Sequence, residues 1–207
     1  MGLSKLTMQD PRQEFFDNLA TDWDPQYTAE DLDRLLHLVG KLPIGPGISI
    51  LDLGCGTGVL FDFMLPRLGT AGLVTGVDFS FGMTQQARRR CPLSNLTVVD
   101  ANACRLPFRD SSFDMAISFA AFPHFEDKAM AVREVGRVLR RGASFFIVHL
   151  SSSYELAALH HRAGGAVAHD MLPPEKELRR MFAEAHFDEV QIEDRPGLYL
   201  ASGVNAK

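Results

Sequence analysis

The chain has 207 residues, 46% of them hydrophobic and 23% charged, the balance of one globular domain with a single core. A formal net charge of −5 speaks against a broad phosphate-binding surface and against nucleic acid as a partner. The longest apolar runs, Ala143–Val148 and Phe119–Phe122, fall far short of the roughly 20 residues a membrane-spanning helix needs, so no membrane association is expected.

Met1-Gly2-Leu3-Ser4-Lys5-Leu6 lacks the apolar core of a secretory signal and has Leu6 where an acylation motif wants Ser or Thr. A cytoplasmic protein is the expectation. Cys55, Cys91 and Cys104 are odd in number and show no CxxC spacing, so they read as buried thiols rather than a disulfide framework or a zinc site.

In chain order, residues 1–47 read as an N-terminal helical lid. Phe15, Phe16, Trp23 and Tyr27 supply its aromatic content, and Thr28–Val39 forms a helix with Leu32, Leu35, Leu36 and Val39 on one stripe, Thr28 as N-cap and Gly40 as its stop. Residues 48–150 follow as a core of β-rich runs, Ile48–Leu53, Leu73–Val77, Leu96–Val99, Asp114–Ser118 and Ser144–Leu150, each separated by room for a helix. That alternation predicts parallel βαβ units. The stripe Ala131, Val132, Val135 and Leu139 marks a helix over Lys128–Leu139. Residues 151–172 are small and polar with a histidine cluster and read as a substrate-side insert. Residues 173–207 then supply a helix opened by Pro173-Pro174 and two strands, Glu189–Glu193 and Leu198–Gly203, joined through Pro196-Gly197. The whole is expected to be a single α/β domain, a Rossmann-like, doubly wound, seven-stranded, mostly parallel sheet with one antiparallel strand and helices on both faces.

Ile50-Leu51-Asp52-Leu53-Gly54-Cys55-Gly56-Thr57-Gly58 sets a glycine-rich turn directly after a buried strand, where backbone can approach a ligand closely and a helix presents free N–H groups. A dinucleotide fingerprint needs its third glycine where Val59 stands, which weakens a nicotinamide reading. At the end of the next strand Asp78 is placed to accept from both hydroxyls of a ribose, and Asp100 ends the strand after that.

Five ordered blocks resemble the class I S-adenosylmethionine-dependent methyltransferases, nearest to the small-molecule type that includes quinone-biosynthesis enzymes. They are ILDLGCGTG at 50–58, VTGVDFS at 74–80, VVDANACRLPFRDSSFDMAIS at 98–118, PHFEDKAMAVREVGRVLRRGASFFI at 123–147, and Phe15–Ala20 with Trp23-Asp24 as a lid signature. The resemblance covers about residues 14–150. It implies that Asp52 and the loop of Gly54, Cys55, Gly56 and Thr57 meet the methionine part of S-adenosylmethionine. It also implies that Asp78 holds the ribose beside Phe79, that Asp100 and the Ala101 N–H face the adenine, that Phe119 closes the methionine end, and that Trp23 covers the cofactor. Arg141-Gly142-Ala143 and Ala185-His186-Phe187 depart from the family's usual turns.

Acceptor motifs for nucleobases are missing from Ser118-Phe119-Ala120-Ala121-Phe122-Pro123, and Arg88–Arg90 and Arg179-Arg180 lie on helix faces that read as solvated. A small-molecule acceptor is therefore expected. His149, His124 and His161 are the candidate bases, and His149, His161 and His169 the candidate acceptor-pocket residues, with a loop-histidine role for His124 the plain alternative. His160 and His161 are adjacent, so on a helix only one of them points inward. A divalent metal held by three imidazoles, with Asp170, is the sharper version. Two rival functions stand beside methyl transfer: a non-catalytic S-adenosylmethionine-binding module, and a nicotinamide-dependent oxidoreductase.

Overall fold

The computed structural model describes residues 10–90 and 93–207. Met1–Gln9 and Cys91 lie outside them, and with them the N-terminal signal reading and the third cysteine. Seven strands form one sheet in the order β3-β2-β1-β4-β5-β7-β6. Strands β1 (Ser49–Leu53), β2 (Leu73–Asp78), β3 (Leu96–Asp100), β4 (Phe113–Phe119) and β5 (Leu139–His149) are mutually parallel, and β7 (Leu198–Asn205) runs antiparallel between β5 and β6 (Phe187–Arg195). This is the expected doubly wound sheet with one reversed strand.

Both faces are covered. On one, α5 (Lys128–Val138) and α7 (Glu175–Glu184) bury Val132, Val135, Leu178 and Phe182 against Phe145, Ile147 and Ala201. On the other, α2 (Ala29–Lys41) and α3 (Phe61–Leu68) bury Leu35, Val39, Phe61 and Met64 against Ile50, Ile117 and Val148. Both layers alternate along the strands, as a sheet packed on two sides requires. No helix among the described residues is long and apolar enough to cross a membrane.

Boundaries differ where local signals compete. Thr28 caps α2 in a capping box with Asp31, but the helix runs through Gly40 and stops before Pro43, because a proline interrupts a helix more firmly than a glycine does. Helix α5 ends at Val138, one residue short of expectation, and Leu139 begins β5 instead. The buried Asn205 amide of β7 reaches the carbonyls of Gly136 and Leu139 across that junction, at 3.1 and 2.9 Å. The insert is mostly helical: Ser152 and Glu155 form a capping box that starts α6 (Ser153–Ala163).

Candidate active site

The loop after β1 folds back under the sheet's carboxyl edge. Gly54 and Cys55 both donate their N–H to the Val77 carbonyl, at 2.7 and 2.9 Å, and Gly54 sits at φ +75°, where a Cβ would lie 2.3 Å from that of Ala121. Only glycine fits there. The turn roofs a cleft of about 870 Å³, counted to its open mouth. It lies where strand order reverses between β1 and β4, the usual ligand crevice of open α/β sheets.

Two carboxylates form its floor. Asp52 is fully buried and neither of its oxygens has a hydrogen-bond partner. Burial first, and the nearby Asp78 second, push its carboxyl up to about 8. Asp78 accepts the Gly56 N–H and the Ser80 N–H, each at 2.9 Å. Burial outweighs those bonds and raises it to about 6. A buried, unpartnered carboxylate is costly unless a cation or donor meets it, so this floor suits a ligand carrying both a cationic group and hydroxyls. S-adenosylmethionine has an ammonium and a ribose, and the donor set fits it.

The lid closes one wall. On α1 (Pro11–Leu19), Phe16 packs edge-on against Trp23 and Phe79, with ring centres 5.7 and 6.1 Å apart. Tyr27 stacks on Phe119, and all five rings line the cleft. Thr57 also lines it, with its hydroxyl turned to Asp24.

Asp100 is placed differently from expectation. It is the register partner of Asp78, yet its carboxylate is taken by Thr84 and by Arg88, 2.8 Å away, both on α4 (Phe81–Arg90). It does not line the cleft, whose wall there is Ala101, Asn102 and Ala103. The cause is local: Asn102 Oδ1 accepts the Cys104 N–H at 2.8 Å, and this turn brings residues 101–103 forward while the basic end of α4 holds Asp100 back. An Asn two residues past a strand end was a turn signal that sequence reasoning passed over.

The histidines separate. His124 lines the cleft. His149 is buried, does not line it, and has an unpartnered Nε2. Burial, with His124 and His160 nearby, lowers it to about 3, so it is neutral at any physiological pH. Its strand position sets its ring edge-on to Tyr199, and it is not among the residues that line the cleft. His161 and His169 are exposed, and His160 is the buried member of its pair. The turn of α6 fixes this choice, since adjacent residues on a helix diverge by about 100°. Among the described residues no group of three or more His, Cys, Asp or Glu side chains could hold a metal ion, so the metal version lacks support.

A Rossmann-like sheet whose glycine turn and two carboxylates converge at the switch point defines the class I methyltransferase type of protein. The fold and the similarities that follow support membership of the S-adenosylmethionine-dependent methyltransferases of that class. A family model described as "Methyltransferase domain" matches residues 51–147. The chain is 36% identical over 107 residues to 2-phytyl-1,4-naphtoquinone methyltransferase of Nostoc sp., covering 50% of this chain and 47% of that one. It is 28% identical over 184 residues to demethylmenaquinone methyltransferase of Staphylococcus aureus, covering 78% and 76%. It thus spans about half the length of the Nostoc relative. Among solved structures, a SAM-dependent methyltransferase from Aquifex aeolicus superposes with a TM-score of 0.69 at 18% identity, over 92% of this chain and 98% of that one. A phosphoethanolamine-type N-methyltransferase 2 from Haemonchus contortus superposes at 0.74 and 15% identity, over 95% and 59%. At those identities the likeness is one of fold.

Proposed function

We propose that the chain transfers a methyl group from S-adenosylmethionine to a small, flat acceptor in the cytoplasm, with His124 as the base. The observation that carries this reading is the orphaned Asp52 carboxylate under the glycine turn, a site made for the methionine ammonium. Asp78 would hold the ribose hydroxyls. Asn102, with the Ala103 N–H, takes the adenine role first expected of Asp100 and Ala101. S-adenosylmethionine supplies an electrophilic methyl on a sulfonium. The residues here bind, orient, and exclude water, and the aromatic lid adds faces that attract a cation.

Phe125 and His124 also line the cleft, an aromatic face with a base beside it that suits an aromatic acceptor. The Nostoc and Staphylococcus relatives are named for quinone-type acceptors, which supports the same class. A nicotinamide role is disfavoured because the Val59 side chain lines the cleft where a third glycine would admit a pyrophosphate. Calorimetry with S-adenosylmethionine, S-adenosylhomocysteine and NAD tests the reading. Micromolar binding of the first two is expected, and NAD binding alone would overturn it.

A further inference from the structure

His124 belongs to a buried polar group assembled from four parts of the chain. It ends a short 3-10 turn, Phe122–His124, after β4, and its Nδ1 lies 2.8 Å from Asp170 Oδ2. Asp170 arrives from the segment beyond α6. Its backbone carbonyl accepts from the buried His160 Nδ1, and the His160 ring centre is 4.7 Å from that of His124. From the lid helix, the Arg12 guanidinium stands 3.6 Å from Asp170 Oδ1 and donates to the His124 carbonyl at 3.2 Å. The side chains of His124 and Asp170 are only 11% and 13% exposed.

Desolvating a carboxylate beside an imidazole is unfavourable unless each is well partnered. Here every partner bears on one outcome: Nδ1 is committed, and Nε2 is the ring nitrogen left for whatever enters the cleft. We propose that Asp170 is a positioning residue that fixes the Nδ1–H tautomer of His124, so that Nε2 acts as base toward an acceptor bearing an ionisable hydroxyl on a flat ring. This rests on the methyl-transfer reading above. The acceptor hydroxyl gives its proton to Nε2 and keeps the O–H electron pair. That oxygen bonds the methyl carbon as the carbon–sulfur bond breaks, its pair passing to sulfur and neutralising the sulfonium. The imidazolium, held by Asp170, returns the proton to water.

A base of this kind must be neutral before reaction and stabilised once charged. Burial lowers His124 below its ordinary value, and the Asp170 bond works in the opposite direction. The charged or titratable groups facing it are Asp170, Arg12 of α1, His160 of α6, Lys128 of α5 and His149 of β5. Because Arg12 rides on the lid, the group is complete only while α1 is docked. A thioether acceptor, which carries a free electron pair at neutral pH, would need no such pair of residues.

The test uses 7-hydroxycoumarin, a flat phenol whose ionisation is read by absorbance, with S-adenosylhomocysteine and the full chain. Its ionisation midpoint on the wild-type protein should lie about one pH unit below that of the free dye. Asp170→Asn should return it toward the free value with S-adenosylhomocysteine affinity unchanged, Asp170→Glu should restore part of the shift, and His124→Gln should abolish it. Equal midpoints in wild type and Asp170→Asn, or no dye binding to the wild type, would overturn the proposal. Nitrogen NMR of the ligand-free protein separates the two readings. An unprotonated Nε2 on His124 supports the pairing even if S-adenosylhomocysteine fails to bind, an outcome that sinks methyl transfer alone. A protonated Nε2 sinks the pairing, and this wild-type measurement decides should Asp170→Asn not fold.

Discussion

Asp17 of the lid helix caps α4: its Oδ1 accepts from the Gly82 N–H at 2.8 Å and from the Ser80 hydroxyl at 2.6 Å. One of the first free N–H groups of α4, that of Gly82, is thus satisfied from a segment 60-odd residues earlier. A side chain at Gly82 would lie 3.0 Å from Asp17 backbone, so the glycine permits this approach. The lid is docked through a specific polar lock in addition to the Phe16, Ala20 and Met83 contact.

Asp17→Ala should therefore destabilise the fold by about 1–2 kcal/mol, the usual cost of losing a helix cap. It should also speed amide exchange across residues 11–19 and weaken S-adenosylmethionine binding, because Phe16 and Trp23 line the cleft on the same segment. Denaturant titration with hydrogen exchange checks both. Unchanged exchange over α1 would mean that the aromatic contacts alone hold the lid.

Asp52 and Asp78 give the ligand-free protein a pH signature. Their folded values, about 8 and about 6, lie above the ordinary carboxyl value. The stability they contribute is therefore whole below about pH 4 and is lost as pH rises through 6 and then 8. Asp52→Asn should remove the upper part of that loss, making the ligand-free variant more stable than wild type at pH 8 by about 1–3 kcal/mol. The same variant should bind S-adenosylmethionine at least about tenfold more weakly, since a charge-assisted contact to the ammonium is gone. Melting curves at pH 5 and pH 8 with and without ligand test this. A variant no more stable at pH 8 would place a partner on Asp52 in solution.

The sheet with its reversed strand and the glycine turn were legible because they rest on short-range patterns: alternation along strands, and a turn at Gly54 whose positive φ favours glycine. The side-chain placement of Asp100 was not legible, because it depends on a contact from Arg88 that no spacing reveals. The polar group around His124 was legible only in part. Its members Arg12, His160 and Asp170 lie up to 158 residues apart in sequence, and nothing local relates them. The histidine cluster drew attention for its density, whereas the fold uses His160 and leaves His161 and His169 in solvent.

Substitution should separate the two adenine-side candidates. Asp100→Asn weakens a half-exposed ion pair with Arg88, worth less than about 1 kcal/mol, and should leave S-adenosylhomocysteine affinity within about twofold. Asn102→Ala removes both the Cys104 turn bond and the cleft-side carboxamide, a loss of about 1–2 kcal/mol or roughly tenfold in affinity. Calorimetry on both variants decides, and the reverse ranking would restore Asp100 to the site.

His149 should prove silent in chemistry and audible in acid. Its folded value of about 3 lies below the ordinary imidazole value, so the unfolded chain takes up a proton that the folded chain refuses. The contribution is whole above about pH 6.5 and is lost as pH falls toward 3, opposite in sign to that of Asp52. His149→Leu replaces a buried ring with an unpartnered Nε2 by an apolar side chain, at the expense of some packing against Tyr199. Relative to wild type, the variant should gain about 1 kcal/mol or more between pH 7.5 and pH 4.5. S-adenosylhomocysteine binding and the dye midpoint read at His124 should be unchanged. Denaturant titrations at the two pH values provide the measurement. A variant that tracks wild type at both, or one that loses the dye shift, would return His149 to the acceptor site.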